Sequence, residues 1–190
     1  MPLNLPNILT LLRVACIPLL VALFYLPAPV STWGAAAVFL VAAVTDWLDG
    51  WLARRANQMT AFGAFLDPVA DKLIVATALV LLTERFDAVF ITVSACVVIG
   101  REIVVSALRE WMAQLGRRAS VAVTNVAKLK TALQMTAITV LLTHLPEVGY
   151  TPWYWLGEGL LAIAVVLTLW SMVIYLQVFA KVVRETDGAL

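Results

Sequence analysis

Apolar runs of about 20 residues, the length that crosses a hydrocarbon core of ~30 Å, recur at Ile8–Leu26, Trp33–Leu52, Phe65–Leu82, Ala88–Met112, Val126–Leu145 and Trp153–Phe179. Polar residues cluster between these runs and at their ends. The pattern predicts an all-α, polytopic membrane protein with six transmembrane helices in one domain, residues 1–190. The first run is not a cleavable signal, because Arg13 interrupts it, no basic stretch precedes it and it runs too long. Pro68 cannot donate a backbone hydrogen bond, so it is expected in the first turn of the third helix or at a kink.

Composition supports the same class: 63% of residues are hydrophobic and the mean hydropathy is +0.95. Loops rich in lysine and arginine stay cytoplasmic. Arg54 and Arg55, Arg117 and Arg118, and Lys181 and Arg184 mark one side of the bilayer, whereas Leu26–Trp33 and His144–Pro152 lack both residue types. Arg85 is offset by Glu84 and Asp87. Both termini are therefore expected in the cytoplasm. The net charge of +1 gives no support for nucleic-acid binding. Basic residues on the cytoplasmic side face the headgroups of membrane lipids. Cys16 and Cys96 stand alone in separate spans and read as packing residues. Trp33 and Trp153–Trp155 read as interfacial anchors on the far side, with His144 in a loop there.

Four aspartates break the apolar pattern. An ionised carboxylate costs about 2.5–3.5 kcal/mol at the centre of a membrane helix, yet Asp46, Asp49, Asp67 and Asp71 all fall inside or at the ends of apolar stretches. At ~100° per residue, Asp46 and Asp49 lie about 60° apart and Asp67 and Asp71 about 40° apart, so each pair shares a helix face. Asp46, Gly50 and Ala53 form one stripe, and Gly63, Asp67 and Asp71 another. A turn through 54–60 would bring the carboxylates together near the cytoplasmic interface. Mutual repulsion then asks for cations. With the only histidine on the opposite side, oxygen ligands suit Mg²⁺ or Mn²⁺, and two such ions can serve phosphoryl displacement.

The string Asp46-x-x-Asp49-Gly50-x-x-Ala53-Arg54, eight residues, then Gly63-x-x-x-Asp67-x-x-x-Asp71 resembles the CDP-alcohol phosphotransferase signature without a departure. That resemblance implies a six-helix membrane domain, usually a homodimer, that moves a phosphatidyl or related group from a CDP-linked donor to an alcohol and releases CMP. It implies Asp46, Asp49 and Asp67 as metal ligands, and Asp71 as both ligand and general base. Gly50, Ala53 and Gly63 would make room for the cytidine nucleotide of CDP-diacylglycerol and Arg54 would hold it, with Asn7, Thr10 and Arg13 lining the same site.

Further segments, Asn4–Arg13, Gly100–Glu110 and Lys128–Met135, resemble members of that family whose acceptor is sn-glycerol 3-phosphate. The charges agree, because an acceptor with its own phosphate needs cations beyond those that neutralise the aspartates. Arg101, Ser106 and Arg109 on the fourth span and Lys128 and Lys130 entering the fifth are the expected pocket, with Arg109 and Lys130 as direct contacts. Alternative acceptors are phosphatidylglycerol, as in a cardiolipin synthase, or inositol phosphate. The compact chain without a presequence points to a bacterial cytoplasmic membrane, with the site facing the cytoplasm.

Other readings compete. Intramembrane carboxylates also serve ion transport, but inverted repeats and a midplane site, expected of transporters, are not evident. Adjacent helix positions diverge by ~100°, so direct Asp71–Lys72 and Arg101–Glu102 pairs are disfavoured.

Overall fold

The computed structural model describes the backbone of residues 5–56, 61–114 and 125–187, and the side chains of 8–45, 63, 65–114 and 128–184. Six α-helices appear among them: α1 Leu5–Phe24, α2 Ala35–Ala56, α3 Ala61–Phe86, α4 Val89–Gln114, α5 Asn125–Leu142 and α6 Pro152–Asp187. A π-helical turn, Val30–Gly34, leads into α2, and a 3₁₀ turn, Pro146–Val148, precedes α6. Each helix overlaps one expected apolar run. Pro68 departs from one expectation, since α3 starts at Ala61 and continues through it. The proline therefore lies inside the helix, beyond its first turn.

α1 packs on α2 and α3, α6 packs on α5 and α4, and α3 joins the groups by touching α4 and α5. Leu20, Phe39, Ile74, Leu79, Leu82, Ile91, Ile138, Leu141 and Leu161 fill the core. Fully buried alanines at 35, 42, 70 and 78 let neighbouring backbones approach. At Gly157 a Cβ would stand 2.9 Å from the Leu141 side chain, so glycine sets the α5–α6 spacing there.

The outer surface carries large apolar side chains, among them Leu12, Leu40, Val80, Val93, Ile103, Val166 and Trp170, while Thr10, Arg13, Lys130, Gln134 and Thr168 are buried. Apolar outside and polar inside suits a lipid solvent. Among the described residues, Val89–Gln114 and Pro152–Arg184 are each long and apolar enough to cross a membrane unaided. Within the described residues, Ile8–Phe24 and Val30–Thr45 are further apolar helical stretches of 10–17 residues. Cys16 is in the core as expected, but Cys96 is exposed. Trp33, Trp153 and Trp155 are exposed.

One end of the bundle is closed by Arg85. Its Nη1 donates to the Leu142 carbonyl at 2.7 Å and the His144 carbonyl at 3.5 Å, and its Nη2 donates to the Ser31 carbonyl at 2.8 Å. The guanidinium carbon lies 4.0 Å from the centre of the Phe24 ring. Leu142 is the last residue of α5, so Arg85 satisfies a carbonyl that has no partner within its helix. Burial pushes the guanidinium down to about 10, which leaves it protonated at neutral pH. Arg85 thus points inward rather than pairing with its neighbours, and Glu84 instead accepts a bond from Tyr25 at 2.5 Å. His144 is in the loop after α5, but buried: it stacks on Phe86, and its Nε2 donates to the Gly149 carbonyl at 2.9 Å.

Arg85→Ala would remove these bonds together with the ring contact. We expect it to lower unfolding stability by about 2–4 kcal/mol, measured by thermal unfolding in detergent. Arg85→Lys, which cannot reach two separate carbonyls with a planar fork, should recover less than half of the loss.

Candidate active site

Asp67 and Asp71 lie one turn apart on α3 and are partly buried, and Gly63 is buried one turn earlier. Thr10 and Arg13 share a face of α1, the helix that packs on this part of the bundle. The Thr10 hydroxyl donates to Asp67 Oδ1, and Arg13 is fully buried. Thr10 and Asp67, both expected at the nucleotide and metal site, are therefore brought into contact. Asp46, Asp49, Gly50, Ala53 and Arg54 lie in the last part of α2, but their side chains, like that of Asn7, fall outside those described. Among the residues whose side chains are described, no group of three acidic, histidine or cysteine residues gathers. The donor set itself is chemically apt, because aspartates without histidine or cysteine favour a hard cation such as Mg²⁺.

Beside Asp71 opens a cavity of about 230 Å³. α3 contributes Asp71 and Lys72, α4 contributes Arg101, Glu102 and Arg109, α5 contributes Lys130 and Gln134, and α6 contributes Tyr175. Four cations face two carboxylates, so the lining keeps an excess of positive charge that fits an anion. Arg101, Arg109 and Lys130 come together here with Asp71, although they lie far apart in the sequence. Lys128, by contrast, is exposed and is not part of the lining.

Hydrogen bonds order the lining. Glu102 Oε1 accepts from Arg101 Nη1 at 2.8 Å and from Lys130 Nζ at 2.9 Å. The Arg101–Glu102 contact corrects the expectation from helix angles: both side chains are long enough to bend toward the position where Lys130 emerges. Arg101 Nη2 also donates to Ser171 Oγ at 2.9 Å, and its guanidinium lies 5.8 Å from the Tyr175 ring centre. Arg101 is thereby braced against α6. Ser106 donates to the Glu102 main-chain carbonyl at 2.6 Å and accepts from Lys72 Nζ. Its only hydrogen is committed, so Ser106 acts on this site through Lys72. Gln134 Oε1 is buried with no donor among the described residues. Such an atom costs about 1–3 kcal/mol when unsatisfied, so a ligand hydroxyl entering the cavity would meet a ready acceptor.

Lys72, Glu102, Gln134 and Tyr175 were not singled out by sequence as parts of the pocket. Helical spacing carried a usable signal for Glu102, four residues before Ser106. For Gln134 the only signal was its lying in the segment Lys128–Met135, which resembles the family.

Residues 3–170 match the profile of the CDP-alcohol phosphatidyltransferase family. A relative from Shigella flexneri serotype 5b (strain 8401) is 54% identical over 177 residues, which cover 93% of this chain and 95% of its own. A relative from Escherichia coli (strain K12) is 54% identical over 180 residues with the same coverage. Both are named CDP-diacylglycerol–glycerol-3-phosphate 3-phosphatidyltransferase.

Thr10→Val keeps the shape of the side chain and removes the donor to Asp67. We expect a loss of about 1.5–3 kcal/mol in unfolding stability, the usual range for a bond to a charged group. Thr10→Ser should retain most of it, which thermal unfolding of the two variants in detergent would read.

Proposed function

The chain belongs to the CDP-alcohol phosphatidyltransferase family, and we propose that it transfers the phosphatidyl group of CDP-diacylglycerol to sn-glycerol 3-phosphate, giving phosphatidylglycerophosphate and CMP. The cation-rich cavity beside Asp71 supports an acceptor with its own phosphate, and the names of the relatives favour glycerol 3-phosphate among such acceptors. An acceptor that brings its own phosphate needs those charges, and a neutral alcohol does not.

In this reading the chain crosses the membrane six times with both termini and the active site on the cytoplasmic side of a bacterial inner membrane, and works as a homodimer. Asp46, Asp49, Asp67 and Asp71 would hold Mg²⁺ or Mn²⁺, in all two ions. When bound, such ions supply positive charge to the attacking and leaving oxygens of a phosphoryl displacement. Thr10 fixes the rotamer of Asp67. Asn7, Arg13 and Arg54 line the nucleotide, and the small residues Gly50, Ala53 and Gly63 let it approach the helices.

Arg109 and Lys130 hold the acceptor phosphate, the first at the exposed mouth and the second in the buried wall of the cavity. This fixes the acceptor so that a hydroxyl can attack the phosphorus that carries the diacylglycerol. As the new oxygen–phosphorus bond forms, the bond from that phosphorus to the pyrophosphate bridge oxygen breaks. CMP leaves with the bridge oxygen, and Asp71 takes the hydroxyl proton. The acyl chains stay in the bilayer throughout.

Purified protein should release CMP from CDP-diacylglycerol only when glycerol 3-phosphate and magnesium are both present. Chelation should abolish turnover and added Mg²⁺ should restore it; turnover unchanged by chelation would remove the metal from the scheme. Asp49→Asn should lower kcat by about a hundredfold or more. Inositol phosphate and phosphatidylglycerol, offered in competition, should be poor acceptors.

Arg109→Ala and Lys130→Ala should each raise the KM for glycerol 3-phosphate by about 10- to 100-fold, the equivalent of one charge-assisted hydrogen bond. The KM for CDP-diacylglycerol should change little. The opposite pattern would assign these residues to the nucleotide.

A further inference from the structure

We propose that Glu102 is the positioning residue of the acceptor-phosphate pocket, holding Arg101 of α4 and Lys130 of α5 at fixed spacing before the acceptor arrives. The inference rests on the phosphatidyl-transfer reading given above. The Glu102 carboxylate does the holding, while Lys72 of α3 is held separately by Ser106. Glu102 Oε1 accepts from Arg101 Nη1 of α4 and from Lys130 Nζ of α5, at 2.8 and 2.9 Å. Its main-chain carbonyl accepts from Ser106 at 2.6 Å, and Ser106 in turn accepts from Lys72 Nζ of α3.

A purely electrostatic pocket for a phosphate would gain from having no resident carboxylate. Glu102 weakens the attraction for an anion, so its value lies in placement. Lys72, Arg101, Arg109 and Lys130 line one small cavity. Like charges that close repel one another, and long side chains would splay apart unless an anion stood among them. The Lys130 and Glu102 side chains are 6% and 26% exposed, so the bond is shielded from solvent. Lysine has three N–H donors and arginine five, so the bonds to Glu102 leave both residues able to bind a ligand. Arg101 is further fixed by Ser171, which makes it a strut that backs the pocket. Lys130 is thus aimed at the acceptor before binding, and the ordering cost is met during folding instead of on encounter.

Glu102→Gln keeps the shape and an oxygen acceptor but removes the charge, and Glu102→Ala removes both. Steady-state kinetics should show the KM for glycerol 3-phosphate rising about tenfold in the glutamine variant and further in the alanine variant, with the KM for CDP-diacylglycerol within about twofold. Inorganic phosphate, as an inhibitor competing with glycerol 3-phosphate, should weaken in parallel. An acceptor KM that is unchanged or lower overturns the proposal, the latter by making Glu102 a competitor of the substrate. A donor KM that rises in step with the acceptor KM, or failure of Glu102→Gln to fold, overturns it in favour of a general packing role.

An activity-independent arm compares protection by inorganic phosphate against thermal unfolding, expected to be strong in the wild type and reduced in Glu102→Gln. Equal protection of both proteins overturns the placement of the cations by Glu102. Wild-type protein that releases no CMP, yet shows this difference in protection, fails the transfer reading alone.

Discussion

An ionised side chain inside an apolar bundle needs a counter-charge or a ring of polar partners, and that need decides where the helices of this chain meet. At 2.9 Å, Lys130 and Glu102 attract one another by about 6 kcal/mol with an effective dielectric of ~20. Removing both from water costs several kcal/mol per ion, so the gross gain and the penalty are of the same order. Such a pair adds little net stability. What it does fix is the relative placement of α4 and α5, and through Arg101 and Ser171 that of α6.

The two ends of the bundle meet the same demand by different means. Arg85 is satisfied by neutral main-chain carbonyls from Ser31, Leu142 and His144 and by the face of Phe24. Its coordination is complete without a ligand, which suits a structural closure. Of the cations beside Asp71, Arg101 and Lys130 share one glutamate, and all four border a cavity. Sharing one partner suits a binding site, since a fully paired cation has nothing left to offer a phosphate.

Much of this was legible in the sequence. The apolar runs marked the helices because burial in lipid demands length and little else, and the aspartate spacing marked α2 and α3 because charge at such positions must be compensated. Arg101, Arg109 and Lys130 were found by chemistry, as the cations an anionic acceptor needs, and they do meet across α4 and α5. Three of the misses share a cause. Helix-angle arguments treat a side chain as a spoke pointing straight out, whereas arginine, lysine and glutamate span several ångströms and bend toward partners on other helices. Hence the Arg101–Glu102 contact, the reach of Lys72 to Ser106 and the inward turn of Arg85 could not be read from position alone. Pro68 was judged by its own missing donor, while a long helix can carry one lost bond within its run.

The length of α6 has a bearing on how the surroundings reach the chemistry. Its 36 residues extend about 54 Å at 1.5 Å per residue, far beyond a hydrocarbon layer of ~30 Å. An apolar stretch longer than the slab it crosses can adjust by leaning, to a degree that depends on the thickness of the slab. Ser171 and Tyr175, which brace Arg101, ride on this helix. A change in the lean of α6 would therefore shift two residues that touch Arg101 at the anion pocket.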